Sequence, residues 1–134
     1  MKVKLVVCGA VALSGFWLTW AQDLSNFTGP VTLIKENSDG KTAHYHFDPG
    51  ARTKWHSHEG GQIILVEEGV GRVQVKGGPV IELHAGETTY TPPGVWHWHG
   101  ASLEKGGTQF NVARGNITWG DVVTEKEFTA KPKR

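Results

Sequence analysis

The sequence predicts an all-β protein of one domain, and three observations carry that expectation. Glycine is abundant, at 18 of 134 residues. It joins proline and aspartate in short breaks such as Asp39-Gly40, Asp48-Pro49-Gly50, Gly77-Gly78-Pro79 and Pro92-Pro93-Gly94. Between the breaks lie short runs rich in valine, threonine, isoleucine and aromatic residues, which suit a pleated, half-buried surface. A chain of 134 residues has the length of a single domain, and nothing in it repeats. The formal net charge of +1 gives no broad electrostatic case for nucleic acid. Lys131, Lys133 and Arg134 read as a solvated basic terminus.

The N-terminus stands apart. Lys2 and Lys4 flank the start of an apolar run that extends to Leu18, and Thr19-Trp20-Ala21 ends in a small residue. This is the layout of a secretory signal peptide over residues 1–21, with the mature domain at 22–134. The run is short for a membrane span, so no stable membrane association is expected after cleavage. Cys8 follows Val7 inside the run, which is not the setting of a lipidated cysteine. The sequence has 1 cysteine, so the mature chain needs no disulfide and has no thiol nucleophile. Export points to the periplasm or the cell exterior.

The elements follow in order. Val31 to Ile34 is expected as a strand, closed by the turn Asn37-Ser38-Asp39-Gly40. Ala43 to Phe47 is the next; alternation puts Ala43, Tyr45 and Phe47 inside and His44 and His46 outside. In Gln62 to Glu67, Gln62, Ile64 and Val66 share one face, and Ile63 and Leu65 the other. An outward apolar strip needs cover, and a homodimer is the expected means. Arg72 to Lys76 and Val80 to Leu83 read as two further strands, and Thr88 to Thr91 as another. The prolines of Pro92-Pro93-Gly94 then fix the backbone. His97 and His99 share a face, as do Gln109 and Asn111 in the closing strand Thr108 to Ala113. Thr124 and Glu127 have capping-box spacing, which predicts a short helix ending near Ala130.

Two stretches carry the chemistry. In the first, His56 and His58 project from one face of a strand, and Gln62 follows a Gly60-Gly61 turn. The second runs from Gly86 through Pro92-Pro93-Gly94 to His97. Three imidazoles and an amide oxygen are a donor set for one divalent transition metal. His44 and His46 form a rival His-x-His pair, read as outward-facing.

These stretches resemble the two cupin motifs. The first motif, G-x5-H-x-H-x3-E-x6-G, is matched by Gly50, His56, His58 and Gly69, with Gln62 in the glutamate position. The second, G-x5-P-x-G-x2-H-x3-N, is matched by Gly86, Pro92, Gly94 and His97, with Ala101 in the asparagine position. The resemblance implies a double-stranded β-helix, or jelly-roll, barrel with the metal inside. It favours manganese or iron, with zinc also compatible with the donors.

A closer resemblance covers most of the expected mature chain. Phe47 to His58, Gly61-Gln62, His97 to Ala101, Trp119 and Thr124 to Phe128 are similar to the small bacterial cupin hydroxynitrile lyases. That group uses one manganese held by three histidines and a glutamine to cleave or form cyanohydrins with R selectivity. Carried over by position, the ligands are His56, His58, Gln62 and His97, and His99 matches a further active-site histidine. A catalytic histidine of the group falls at Gln109, which can hydrogen-bond but cannot exchange a proton near neutral pH. Tyr45, inward by alternation, is a candidate hydrogen-bond donor beside His99.

Glutamine in place of glutamate leaves the metal charge uncompensated by its ligands. This favours anion binding and non-redox chemistry over oxygen activation. Glu59 restores a negative charge if its loop folds inward. The reading is a metal-dependent lyase acting on a small hydroxylated or carbonyl substrate. The alternatives are a dioxygenase and a metal- or small-ligand-binding protein without turnover.

Overall fold

The computed structural model describes residues 24–133. The expected signal peptide with Cys8, and Arg134, lie outside them. Among the described residues eleven strands are formed in chain order. They are β1 (Phe27–Thr28), β2 (Val31–Glu36), β3 (Thr42–Phe47), β4 (Arg52–Thr53), β5 (His56–His58), β6 (Gln62–Val75), β7 (Val80–His84), β8 (Thr88–Thr91), β9 (His97–Ala101), β10 (Gly107–Ala113) and β11 (Ile117–Trp119). One short helix, α1 (Glu125–Phe128), follows. All the strand pairings are antiparallel. The architecture is the expected all-β barrel, a double-stranded β-helix.

Strand β6 is the spine. The sequence suggests two strands here, Gln62 to Glu67 and Arg72 to Lys76, but the backbone runs through both without a break. Its first half pairs with β10 and β8, and its second half with β9 and β7. The crossing between sheets falls at Gly69, whose φ is 72°. A Cβ there would collide with the carbonyl of Gly106, so both the backbone angle and the close approach require glycine. One sheet therefore runs β2-β3-β10-β6-β8, and the other carries β9 between β6 and the β4–β5 edge.

Alternation sorts the side chains as expected. Phe47, Ile64 and Val66 are fully buried, whereas Ile63 is 47% exposed. Ile63 stands opposite Tyr90 and Val112 on the outer face, and Leu65 opposite Phe110. Ile64, Val66, Val73 and Leu83 form one cluster of the core. Val31, Phe47, Ala51 and Ala101 form another.

The third cluster is outside the barrel, on the back of the sheet that holds β9. Trp55, Val80 and Trp98 pack there against Val123 and Phe128 from the C-terminal segment. Helix α1 starts where its capping box puts it: Thr124 Oγ1 accepts from the Glu127 amide, and the Glu127 carboxylate accepts from the Thr124 amide. The helix is one turn long and draws its stability from docking. The Phe128 ring lies 4.3 Å from the Arg52 guanidinium and 5.6 Å from that of Arg72. Arg72 donates to the Phe128 carbonyl at 2.8 Å, and Arg52 to the Val123 carbonyl at 3.1 Å and to Glu125 at 2.5 Å. Such cation–π contacts strengthen when desolvated, and both arginines are buried.

Phe128→Ala is therefore expected to destabilise the fold by about 3–5 kcal/mol, the usual cost of emptying a buried aromatic site. Equilibrium chemical unfolding measures it. A loss below about 1 kcal/mol would show that the C-terminal clasp is not part of the cooperative core.

Candidate functional site

Three local features bring the donors together. His56 and His58 point the same way from β5 because they are two residues apart. His97 opens β9 directly opposite His56 in the antiparallel register. Gln62 opens β6 after a turn in which Gly61 has φ 80° and packs against the Thr91 carbonyl with no room for a side chain. The His56 and His97 rings are 4.3 Å apart by centroid, and the His56 and His58 rings 5.2 Å. Among the described residues, His56, His58 and His97 form a group that could hold a metal ion, with ligand atoms within 4.8 Å of one another.

The hydrogen bonds decide which atoms face inward. Backbone carbonyls only accept, so His56 donates Nδ1–H to the Lys54 carbonyl at 2.9 Å, and His97 donates Nδ1–H to the Val95 carbonyl at 3.0 Å. A neutral imidazole with its proton on Nδ1 carries a bare lone pair on Nε2. Both Nε2 atoms face Gln62 Oε1, at 3.4 Å and 2.6 Å. The amide is oriented by its other end, where Nε2 donates to Asn111 Oδ1 at 3.3 Å. His58 Nε2 is buried without a hydrogen-bond partner. At His56, His97 and Gln62 acceptors thus face acceptors in a buried space, and the unpartnered His58 Nε2 lies beside them. That arrangement is costly on its own and suits a cation.

Electrostatics keep the rings neutral. Burial is the first cause of a lowered pKa at His56, His58, His97 and His99. Neighbouring imidazoles add to it at His56, His58 and His99. His58 is brought down to about 4 and His99 to about 3.

The donors stand beside a cavity of about 520 Å³. His99 and Tyr45 line it, as alternation predicts. His99 presents its Nε2 edge, because Nδ1 is tied to Gln109 Oε1 at 2.8 Å. Gln109 Nε2 donates to the Gly100 carbonyl at 2.8 Å, so its oxygen must face His99 and His99 must carry its proton on Nδ1. Gln109 is fully buried behind His99 and is not part of the cavity wall. The Tyr45 hydroxyl is held neutral, its pKa raised by burial first and by Glu36 second.

Glu59 does not turn inward. It accepts from the Asn116 amide at 3.0 Å and from its side chain at 3.3 Å, which pins the loop before Gln62 to the segment after β10. The rival pair lies outside as expected: His44 meets Glu67 at 2.9 Å, and His46 meets Thr108 at 3.1 Å. Sequence reasoning missed Asn111 as a partner of Gln62, and Thr53, whose hydroxyl accepts from the His99 amide at 3.1 Å. It also missed the aromatic wall. Trp119 on β11 packs 4.9 Å from His56 and 6.4 Å from Phe27, which in turn lies 5.7 Å from Tyr45. The inward parity of Asn111 was the one available signal; β1 and β11 are too short to announce themselves.

The lowered imidazole pKa values bear on stability. An unfolded chain takes up protons on these rings near ~6.5, whereas folded His58 and His99 do so only near 4 and 3. Between those values the unfolded state binds more protons, so stability rises with pH and falls on acidification. The melting temperature of metal-free protein should drop steadily from about pH 7 to about pH 4. A flat profile over that window would contradict the burial of four neutral imidazoles.

The comparisons with known proteins agree with this geometry. A family model described as a cupin domain matches residues 43–108. The protein named (R)-mandelonitrile lyase of Granulicella tundricola is 37% identical over 86 residues, which span 61% of this chain and 66% of that protein. The crystal structure of a cupin-like protein from Thermotoga maritima shares 37% identity and superposes with a TM-score of 0.69, covering 80% of this chain and 88% of that one. A double-stranded β-helix protein from Klebsiella pneumoniae, at 23% identity and a TM-score of 0.54 over 71% of this chain and 84% of its own, shares the fold. With its antiparallel barrel and converging histidines, the chain belongs to the cupin family.

Proposed function

We propose that this cupin is a metal-dependent lyase that cleaves or forms a carbon–carbon bond in a small hydroxylated or carbonyl substrate of the cyanohydrin class. The observation that carries the proposal is the convergence of bare acceptor atoms from His56, His97 and Gln62 with the unpartnered His58 Nε2. Nitrogen and oxygen donors of this kind suit manganese, iron or zinc, and the resemblance to the hydroxynitrile lyases favours manganese. All four donors are neutral, so the bound ion would keep its full charge and resist oxidation, which favours a lyase over a dioxygenase. A divalent ion held there supplies Lewis acidity that stabilises negative charge on a substrate oxygen. The 37% identity to a protein named (R)-mandelonitrile lyase supports the same reaction class.

The protein's own groups supply the rest. Phe27, Tyr45 and Trp119 form an apolar wall of the cavity, fitted to the organic part of a cyanohydrin. Gln109 holds His99 in the tautomer with a free Nε2. That nitrogen takes the hydroxyl proton of the substrate; burial and the neighbouring imidazoles make it a weak base, and the negative charge that develops on the departing cyanide favours the protonated ring as the bond breaks. The bond to the nitrile carbon then breaks with its electron pair going to the departing cyanide, and the carbon–oxygen bond becomes a carbonyl. The proton on His99 passes to cyanide or to solvent. Tyr45, held neutral, donates a hydrogen bond to the substrate. With glutamine at position 109, His99 is the imidazole in the cavity lining that is not one of the metal donors, so proton transfer rests on one histidine.

Two experiments test this. His56→Ala, His58→Ala and His97→Ala should each strip most of the metal, read by elemental analysis of purified protein. Stoichiometric metal in all three would remove the site. His99→Ala should keep the metal and lower the turnover number for mandelonitrile cleavage by roughly 10²–10⁴-fold, the range for loss of a general base, and Gln109→His should raise it provided that the new imidazole accepts from His99 Nδ1 as Gln109 Oε1 does. Full metal with no cleavage by the parent chain or by Gln109→His would leave a metal-binding protein without turnover as the reading.

A further inference from the structure

We infer that Asn111 is the positioning residue that allows a neutral glutamine to serve as the fourth donor. The inference rests on the metal reading above and extends it to a residue that touches no other donor of the set. A glutamine side chain has two faces of nearly equal shape, one an acceptor and the other a double donor. In a site without metal the donor face would be the better neighbour for the bare Nε2 atoms of His56 and His97. The structure shows the opposite face turned to them, with Gln62 Oε1 at 3.4 Å and 2.6 Å. Something must hold the amide against its local preference.

The polarity of that restraint can be traced to an atom that cannot reverse. The Gln109 backbone carbonyl only accepts, and Asn111 Nδ2 donates to it at 3.2 Å. Asn111 Oδ1 is then the atom left to face Gln62, and it accepts from Gln62 Nε2 at 3.3 Å. Gln62 Oε1 is thereby turned to the imidazoles. Flipping Gln62 would set oxygen against oxygen at Asn111, and flipping both amides would set oxygen against the Gln109 carbonyl. Gln62 and Asn111 are each only 5% exposed and border the cavity, so a mismatch between them is relieved only from the cavity side. A glutamate at position 62 has no donor face. It would meet Asn111 Oδ1 acceptor to acceptor. Asn111 is therefore matched to glutamine and mismatched to glutamate.

The test is a cycle of four full-length proteins: the parent, Asn111→Leu, Gln62→Glu, and the double variant. Each is stripped of metal and titrated with Mn²⁺ by calorimetry. In the parent background, Asn111→Leu should weaken Mn²⁺ binding about 10–100-fold, the usual effect of removing a group that orients a ligand. In the Gln62→Glu background the same substitution should cost nothing or strengthen binding. An equal loss in both backgrounds would mean a merely structural role and overturn the inference while leaving the metal site standing. No loss in the parent background would overturn it too. A parent that binds no Mn²⁺ would overturn the metal reading and this inference together. If Asn111→Leu fails to fold, Asn111→Ala is read in the same cycle. A metal-free readout accompanies it: the Gln62 side-chain amide protons should exchange slowly in the parent and at least tenfold faster once Asn111 is replaced. Unchanged exchange would likewise overturn the inference.

Discussion

The structure depends on keeping mutually repelling lone pairs together in a buried space. Three neutral imidazoles and an amide oxygen face one another; His56, His97 and the amide oxygen offer no proton to their neighbours, and His58 Nε2 has no partner. Nothing local favours this. It persists because three of the four donors are anchored from behind by groups with fixed polarity. Backbone carbonyls of Lys54 and Val95 hold two rings, and Asn111 holds the amide. Hydrogen bonds of about 1 kcal/mol net each are modest singly. In a buried frame they act together, because neither His56 nor His97 can turn without breaking its own anchor.

The frame itself is set by two long-range features. The bend of β6 at Gly69 lets one strand serve both sheets, so Gln62 enters the site from one sheet and Val75 stands opposite His97 in the other. The C-terminal segment then braces the second sheet from outside. Arg52 is bonded to that segment, and Arg52 stands opposite Gly100 in β9, next to His99. Alternation thus divides β9 cleanly: His97 and His99 face the site, and Trp98 faces the clasp, where it donates to Gln74 at 2.8 Å. Packing on one face of the strand supports chemistry on the other.

Strand β10 plays a complementary part from the opposite wall. Its inward residues Gln109 and Asn111 are both amides, and each imposes an orientation on a partner that has none of its own. Gln109 sets the tautomer of His99, and Asn111 sets the face of Gln62. The two are linked, since Asn111 donates to the Gln109 carbonyl. Charged groups in these positions would orient their partners more strongly, yet they would also bring charge to a site whose donors are all neutral.

Much of this protein can be read from residue order alone. Two-residue spacing puts His56 and His58 on one face, and a proline–glycine turn delivers His97. Strand alternation already separates Tyr45, Ile64 and Val66 from His44, His46 and Ile63. The capping box marks the start of α1. These are properties of neighbours in the chain, governed by backbone periodicity and turn chemistry. The tertiary structure alone decided the pairings between distant residues. Asn111 meets Gln62 across 49 positions of chain and Arg52 meets Glu125 across 73, and Trp119 reaches His56 through a strand of three residues. Glu59, near the donors in sequence, turns to Asn116 instead. Such contacts depend on sheet register and on where the chain closes on itself. A local pattern carries no record of either.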